Sequence, residues 1–428
     1  IPHAVRTAFR HITTGRPGAA HIGLPYDIQK HEADPSDLWA QKEHSQVPTL
    51  RSMADPDELQ RAAACLASSR HPVIFCGGGV VISGASAELD RLVTLLNAPL
   101  VTTVSGQGSL ADHHPLNCGV VGSNGGIDAT RDVVAQADLV FFIGCRVGST
   151  STEHWKVPSR QVSLIHLDVE ASTVAANYRT DVPLVGDARL SLHALNEALS
   201  EHLRHHPREQ AANGLAIAEQ ARARKWAAFA PLAASSDQPI KPERVVDALN
   251  RLLPANSILV ADPGTPCPYF SAYFHNSTVP GRHFITNRAH GALGYAMSAG
   301  VGAWFGRPES TVVAVMGDGS FAFTCGELET IVRRQVPLKM IVFSNTVFGW
   351  IKASQKVGYQ ERYFSVDFGR TEHAKVAEAF GVKSWRVQDP AQLDAAIKAA
   401  LAHPGPALID VVSQQLQDAA TPVSQWMG

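Results

Sequence analysis

What most constrains this chain is a unit that recurs along it: a short, unbroken apolar run, then a turn rich in Gly or Asp, then a helical stretch. The run 72–76 meets Gly77-Gly78-Gly79, the run 311–316 meets Gly317-Asp318-Gly319, and the run 338–343 meets Ser344-Asn345. Apolar runs without polar alternation belong to strands buried on both faces. Strand, turn and helix in repetition build crossover connections, and hence parallel sheets covered by helices on each side. The expected class is α/β, with two doubly wound parallel-sheet domains plus a remnant of a third.

The first block, 57–205, carries expected helices at 59–67 and 87–96 and strands at 72–76, 99–103, 138–144 and 164–167. The second, 241–428, carries strands at 257–261, 311–316, 338–343, 384–387 and 407–412. Its expected helices lie at 245–253, 294–303, 326–334, 376–380 and 390–401. Segments 29–56 and 206–240 are polar and read as linkers, the latter helical. Residues 1–28 read as a helix over 5–12, a stop at Arg16-Pro17-Gly18, and a strand over 19–24 ended by Pro25. Two such elements cannot bury a core by themselves. They are expected to be the closing remnant of a further domain, and the chain a piece of something longer.

Composition removes several function classes. Lys plus Arg is 37 and Asp plus Glu is 39, a formal net charge of -2, which argues against a nucleic-acid binder. No apolar run approaches the roughly 18 residues of a membrane span. The six cysteines are scattered, none in a CxxC or zinc spacing. With no signal-peptide pattern at Ile1, a cytoplasmic enzyme is the expectation.

The segment 311–350 carries the most chemistry. One buried strand delivers Asp318 between two glycines, and the next delivers Asn345, 27 positions on. Ligands of open parallel sheets sit at the carboxyl ends of the strands, so both oxygen-bearing side chains reach one edge. A carboxylate and an amide carbonyl, completed by water and phosphate oxygens, suit a hard divalent cation such as Mg²⁺. Gly319 permits close backbone approach. The N–H groups around Gly319 and Ser320 lie where a helix begins, a natural phosphate seat.

Gly317-Asp318-Gly319 and, after that spacing, Asn345 resemble the signature of thiamine diphosphate enzymes. Residues 294–299, 326–330, Pro337 and 376–381 are similar to the acetolactate synthase-like branch, and the resemblance runs over nearly the whole chain. It implies the following roles. Asp318, Asn345 and the backbone carbonyl of Val347 would bind Mg²⁺. Gly264, Thr265, Gly317, Gly319 and Ser320 would contact the cofactor's diphosphate. The Gly291 carbonyl would accept from the aminopyrimidine, and Leu293 would be the apolar wedge that folds the cofactor into a V. The other reading of Leu293 is an ordinary core leucine. Ser344 stands where the family often has a first Asn, and Pro266 where some relatives place a His. His290 lies beside the cofactor by resemblance, facing substrate or solvent.

The glutamate that drives the family's aminopyrimidine tautomerisation belongs to a domain preceding the central one, so no residue is assigned to it. Glu327 and Glu329 read as helix surface. Phe348, Trp350 and Lys352 lie just past the metal loop, where Trp350 either reshapes an acceptor pocket or packs as a buried aromatic. In the central block relatives hold FAD, an ADP-like group or nothing. Arg146 pairs a phosphate there or braces the Asp168 strand.

The implied activity is decarboxylation of a 2-oxo acid and transfer of the acyl unit to a second carbonyl acceptor, in a homodimer or homotetramer. The alternatives are a simple decarboxylase of the benzoylformate type, or a cofactor-binding relative without catalysis. A nicotinamide dehydrogenase is disfavoured because Gly77-Gly78-Gly79 lacks the GxGxxG pattern.

Overall fold

The structure is a computed structural model and describes residues 1–208, 213–287, 290–419 and 422. Six strands form the first sheet: β1 (Pro72–Cys76), β2 (Leu100–Thr102), β3 (Asn117–Val120), β4 (Leu139–Ile143), β5 (Ser163–Asp168) and β6 (Val182–Val185). They pair in parallel in the order β3-β2-β1-β4-β5-β6. Every residue of β1 and β4 is buried. Their side chains divide with period two between separate cores. Ile74, Cys76, Phe141 and Ile143 pack with the helices Pro56–Ser68, Ser86–Leu96 and Ala188–His205. Val73, Phe75, Val140 and Phe142 pack on the opposite face with the helices Asp128–Ala135 and Gly214–Ala233. A strand buried on both sides has no polar positions to spare, which is why these segments read as unbroken apolar runs.

The second sheet comprises β7 (Ile258–Ala261), β8 (Phe284–Thr286), β9 (Val312–Gly317), β10 (Lys339–Ser344), β11 (Lys383–Val387) and β12 (Ala407–Val412). These are also parallel, in the order β11-β12-β10-β9-β7-β8. The chain leaves β7 toward β8 and returns to β9 on the other side. The strand order therefore reverses between β7 and β9, and a crevice opens at their carboxyl ends. Those ends are Asp262 and Gly317-Asp318.

The α/β expectation holds, and the apolar runs at 72–76 and 407–412 are strands with those bounds. Edge strands β3, β6 and β8 were not anticipated. They are short and carry polar, Pro or Gly positions, as edges do. The helix near the start spans Pro2–Thr13. The strand expected over 19–24 does not form: the segment is irregular, and among the described residues no neighbouring strand pairs with it. An extended run needs a ladder partner to become a strand, and no sequence pattern supplies one.

The two sheets are joined by hydrogen bonds and by Val104 and Ile127, which pack on the core of the second. The Asp112 carboxylate accepts from the N–H groups of Asn276 (3.1 Å) and Ser277 (2.9 Å). The Gly281 N–H donates to the Gly108 carbonyl at 2.9 Å. Lys225, on the helix Gly214–Ala233, is buried at this junction, and burial lowers its ammonium pKa to about 8.

Candidate active site

At the β9 edge, Asp318 opens the helix Asp318–Thr324 and is 2% exposed. Its Oδ1 accepts from the Gly319 N–H at 2.9 Å. Its Oδ2 accepts from the N–H groups of Asn345 (2.9 Å) and Thr346 (2.6 Å). Two successive amides converging on one carboxylate oxygen form a backbone nest. Thr346 takes a left-handed φ of 61° in it, an uncommon conformation for a non-glycine residue. Burial raises the Asp318 carboxyl above its ordinary value, against the three N–H donors that favour its charged form.

Asn345 is 4% exposed. Its Nδ2 donates to Thr265 Oγ1 at 3.4 Å, while its Oδ1 is buried without a hydrogen-bond partner. An orphaned carbonyl oxygen beside a nested carboxylate is the donor set of a hard cation, and it is costly to leave unmet. The residues present thus fit Mg²⁺. Among the described residues no group of three or more His, Cys, Asp or Glu side chains gathers to hold a metal, and here Asp318 is joined by an amide oxygen instead. The Val347 backbone is pinned by an antiparallel bridge to Asp367, with Phe348 N–H donating to Val366 at 2.9 Å and Phe368 N–H to Thr346 at 3.1 Å.

Three glycines leave space around this loop. A β-carbon on Gly319 would stand 2.6 Å from the Phe348 ring, and one on Gly349 would stand 3.0 Å from Thr265 Oγ1. A β-carbon on Gly264 would stand 3.3 Å from Leu293 Cδ2 and 3.7 Å from Ser320 Oγ. Gly264, Thr265, Leu293, Ser320, Asp318 and Asn345 are therefore gathered at one sheet edge. Leu293 is half-buried and belongs to none of the hydrophobic cores, so it is not an ordinary core leucine. Gly291 takes a left-handed φ of 64°, with nothing within 4 Å of where a β-carbon would lie.

The phosphate seat is less open than the sequence suggests, because the Gly319 N–H is already given to Asp318. The Ser320 hydroxyl donates to Asp262 Oδ1 at 2.8 Å. Asp262 was not singled out. Buried at the end of β7, it also accepts from the Ala296 N–H at 3.2 Å, which ties the helix Tyr295–Gly306 to the crevice. The Asp-Pro-Gly after an apolar run was the available signal, parallel to Gly-Asp-Gly after β9. Gln415 was missed too. Its Nε2 donates to the Asn345 carbonyl at 2.8 Å from the segment after β12, and no local pattern announces it.

The neighbouring side chains resolve as follows. The Trp350 indole N–H donates to the Gly264 carbonyl at 3.1 Å and its ring packs on the core, so it ties two loops together. Lys352 pairs with Asp367 at 2.6 Å. Glu329 pairs with Arg333 on the exposed helix face, and Glu327 is exposed. His290 is exposed.

In the first sheet, a cavity of about 460 Å³ opens at the carboxyl ends of β1, β4 and β5, where the strand order reverses. Arg16, Arg146 and Asp168 line it. Arg16 was read only as part of a helix stop, yet it reaches this cavity from the N-terminal segment. Asp168 is buried, and burial raises its carboxyl above the ordinary range. Gly77-Gly78-Gly79 is chiefly a packing device: β-carbons on Gly77 and Gly79 would stand 2.2 Å from the Gly144 carbonyl oxygen and 2.7 Å from the Gly144 α-carbon, respectively. The N–H groups of Gly77 and Gly79 donate to Ile143 and Gly144.

Residues 262–411 match the family described as thiamine pyrophosphate enzyme, C-terminal TPP binding domain, and residues 59–195 match its central domain. The chain is 32% identical over 424 residues to a probable acetolactate synthase large subunit of Methanococcus aeolicus, covering 96% of this chain and 69% of that protein. It is 27% identical to the acetolactate synthase isozyme 3 large subunit of Escherichia coli K12, covering 94% and 69%. With an acetolactate synthase of Mycobacterium avium it shares 29% identity over 90% of this chain and 62% of that protein. Two family domains in order, and a third of all positions shared along nearly the full length, place this chain among the thiamine diphosphate-dependent enzymes, in the group that contains the acetolactate synthase large subunits.

Proposed function

We propose that this chain is a thiamine diphosphate- and Mg²⁺-dependent enzyme that decarboxylates a 2-oxo acid and passes the acyl unit to a second carbonyl acceptor, as acetolactate synthases do. The observation that carries the reading is the partnerless buried Oδ1 of Asn345 beside the nested carboxylate of Asp318. Asp318, Asn345 and the Val347 carbonyl would hold the cation. Gly264, Thr265, Gly317, Gly319 and Ser320 would hold the diphosphate. The Gly291 carbonyl would orient the aminopyrimidine, and Leu293 would support the bend between the two rings. When bound, the cofactor supplies a carbon nucleophile and an electron sink for decarboxylation. The chain's own contribution is to orient the reacting groups and exclude water.

Residues 241–428 would form the diphosphate-binding unit and 57–205 the central one, with 29–56 and 206–240 as linkers and 1–28 belonging to a pyrimidine-binding unit. The central cavity is assigned to a nucleotide-bearing ligand of the FAD or ADP class. Arg16 and Arg146 are suited to its phosphates and Asp168 to a ribose hydroxyl. Exposed Phe323, Ile351 and Phe364 near the metal loop favour a homodimer or dimer of dimers. No helix of the described residues is long and apolar enough to cross a membrane. A cytoplasmic setting is part of the proposal.

The test is a calorimetric titration with thiamine diphosphate, with and without Mg²⁺. Asp318→Ala is expected to abolish Mg²⁺-dependent binding, and unchanged affinity would sink the site. Product analysis with pyruvate then separates an acetohydroxy acid from a free aldehyde, which would mark a simple decarboxylase.

A further inference from the structure

We propose that Ser344 is a positioning residue for the cation-binding loop, anchored from behind by Asp410, Arg386 and His373. The proposal rests on the reading of Asp318 and Asn345 as cation ligands. Ser344 ends β10, immediately before Asn345. Its Oγ lies 2.5 Å from Asp410 Oδ1 and 2.8 Å from His373 Nδ1. Asp410, on the neighbouring β12, is 0% exposed. Its other oxygen accepts from Arg386 of β11 at 2.5 Å and from the Ala374 N–H at 3.4 Å.

The donor inventory fixes the direction of this chain of bonds. Burial alone would raise the Asp410 carboxyl. The nearby His373 Nδ1, 3.8 Å from Oδ1, the Ser344 hydroxyl and the Arg386 charge outweigh it and hold the carboxyl below its ordinary value, so Asp410 is an anion and can only accept. Ser344 has one hydroxyl proton, which goes to Asp410. The His373–Ser344 contact then requires Nδ1 to be the donor, so the imidazole carries its proton on Nδ1. The result is a directed series, with Arg386 and Ser344 donating to Asp410 and His373 donating to Ser344.

The series reaches both halves of the cation site. Ser344 is covalently next to Asn345. The His373 ring meets Phe321 edge-on at 5.4 Å, and Phe321 sits one turn along the helix that Asp318 begins. The end of β10 is also held by its pairing with β12, where the Ser413 N–H donates to the Ser344 carbonyl at 3.1 Å, and by Gln415 on the Asn345 carbonyl; the Ser344 hydroxyl adds a side-chain tether to these backbone contacts. A hydroxyl bonded to a buried anion is a stiff tether, and groups that orient metal ligands typically change metal affinity ~10–100-fold when removed.

The experiment uses the full chain with saturating thiamine diphosphate and Mn²⁺ as the probe, its free concentration read by electron paramagnetic resonance. Ser344→Ala is expected to weaken Mn²⁺ binding ~10-fold and to lower the thermal midpoint of the ligand-free chain, since buried Asp410 loses a donor. Ser344→Thr, which keeps the hydroxyl, is expected to stay within ~3-fold of wild type. Arg386→Gln, which removes the charge paired with buried Asp410, should weaken binding in the same direction, with thermal unfolding read beside it because that loss also destabilises the fold. Wild-type affinity in Ser344→Ala and Arg386→Gln, or equal loss in Ser344→Ala and Ser344→Thr, would overturn the positioning role. Asp318→Ala separates this from a failure of the site itself. If Asp318→Ala binds Mn²⁺ as tightly as the wild type, the cation site is elsewhere and both readings fall.

Discussion

At the scale of single residues, the candidate site is a set of buried polar atoms whose partners can be counted. Asp318 has three N–H donors, whereas Asn345 Oδ1 has none. This asymmetry points to a ligand more sharply than the presence of the two residue types. Leu293 shows the same logic in apolar form, since it stands over Gly264 outside the cores. Leu293→Ala is therefore expected to lower turnover at least ~10-fold while changing cofactor affinity less, because orientation enters the reaction barrier more than ground-state binding. Steady-state kinetics beside a calorimetric titration read the two separately, and equal loss of both would count against the wedge. In the central unit, Arg16→Ala should weaken binding of FAD or ADP, measured by fluorescence or calorimetry, by ~1.5–3 kcal/mol if the guanidinium meets a phosphate.

At the scale of elements, apolar runs and turn residues placed most strands and helices, because a doubly covered strand leaves no ambiguity about its faces. Helix ends carry a less visible cost. Glu243, in the first turn of Pro242–Leu252, is 1% exposed and its Oε1 has no partner. Burial raises its carboxyl from 4.5 to about 7, against its own backbone N–H and Lys241. Because its folded pKa is raised, the folded chain binds the proton more tightly, and stability from this group is present at low pH. It is lost as pH climbs from about 4.5 through 7. Glu243→Gln should thus stabilise the protein by ~1–3 kcal/mol at pH 8 and have little effect at pH 5. Thermal unfolding at the two pH values checks this, and an equal shift at both would contradict the buried-carboxyl account.

At the scale of the whole molecule, two sheets of related architecture meet through hydrogen bonds and through Val104 and Ile127 of the first unit, which pack on the core of the second. Gly108 takes a φ of 86°, and a β-carbon there would stand 1.8 Å from the Gly281 carbonyl oxygen. Neither backbone can give way without moving one unit against the other. Gly108→Ala is expected to loosen this junction and split a single unfolding transition into two, seen by calorimetry, at a cost of ~2 kcal/mol or more. A single transition at an unchanged midpoint would show that the units are held together elsewhere.

The sequence by itself determined the fold class, the positions of most strands, and the pair Asp318 and Asn345, because burial period and turn chemistry are local properties that a chain writes residue by residue. Tertiary structure alone decided which strands are neighbours, and so where the strand order reverses and the crevices open. It also brought Gln415 to the Asn345 carbonyl, Arg16 to the central cavity, and Asp410 and His373 behind Ser344. Those partners lie tens to more than a hundred positions from the groups they meet. Contacts at such separation follow from strand order, to which no local pattern is sensitive. The expected strand at 19–24 failed for the same reason, since an extended run becomes a strand only when another backbone lies beside it.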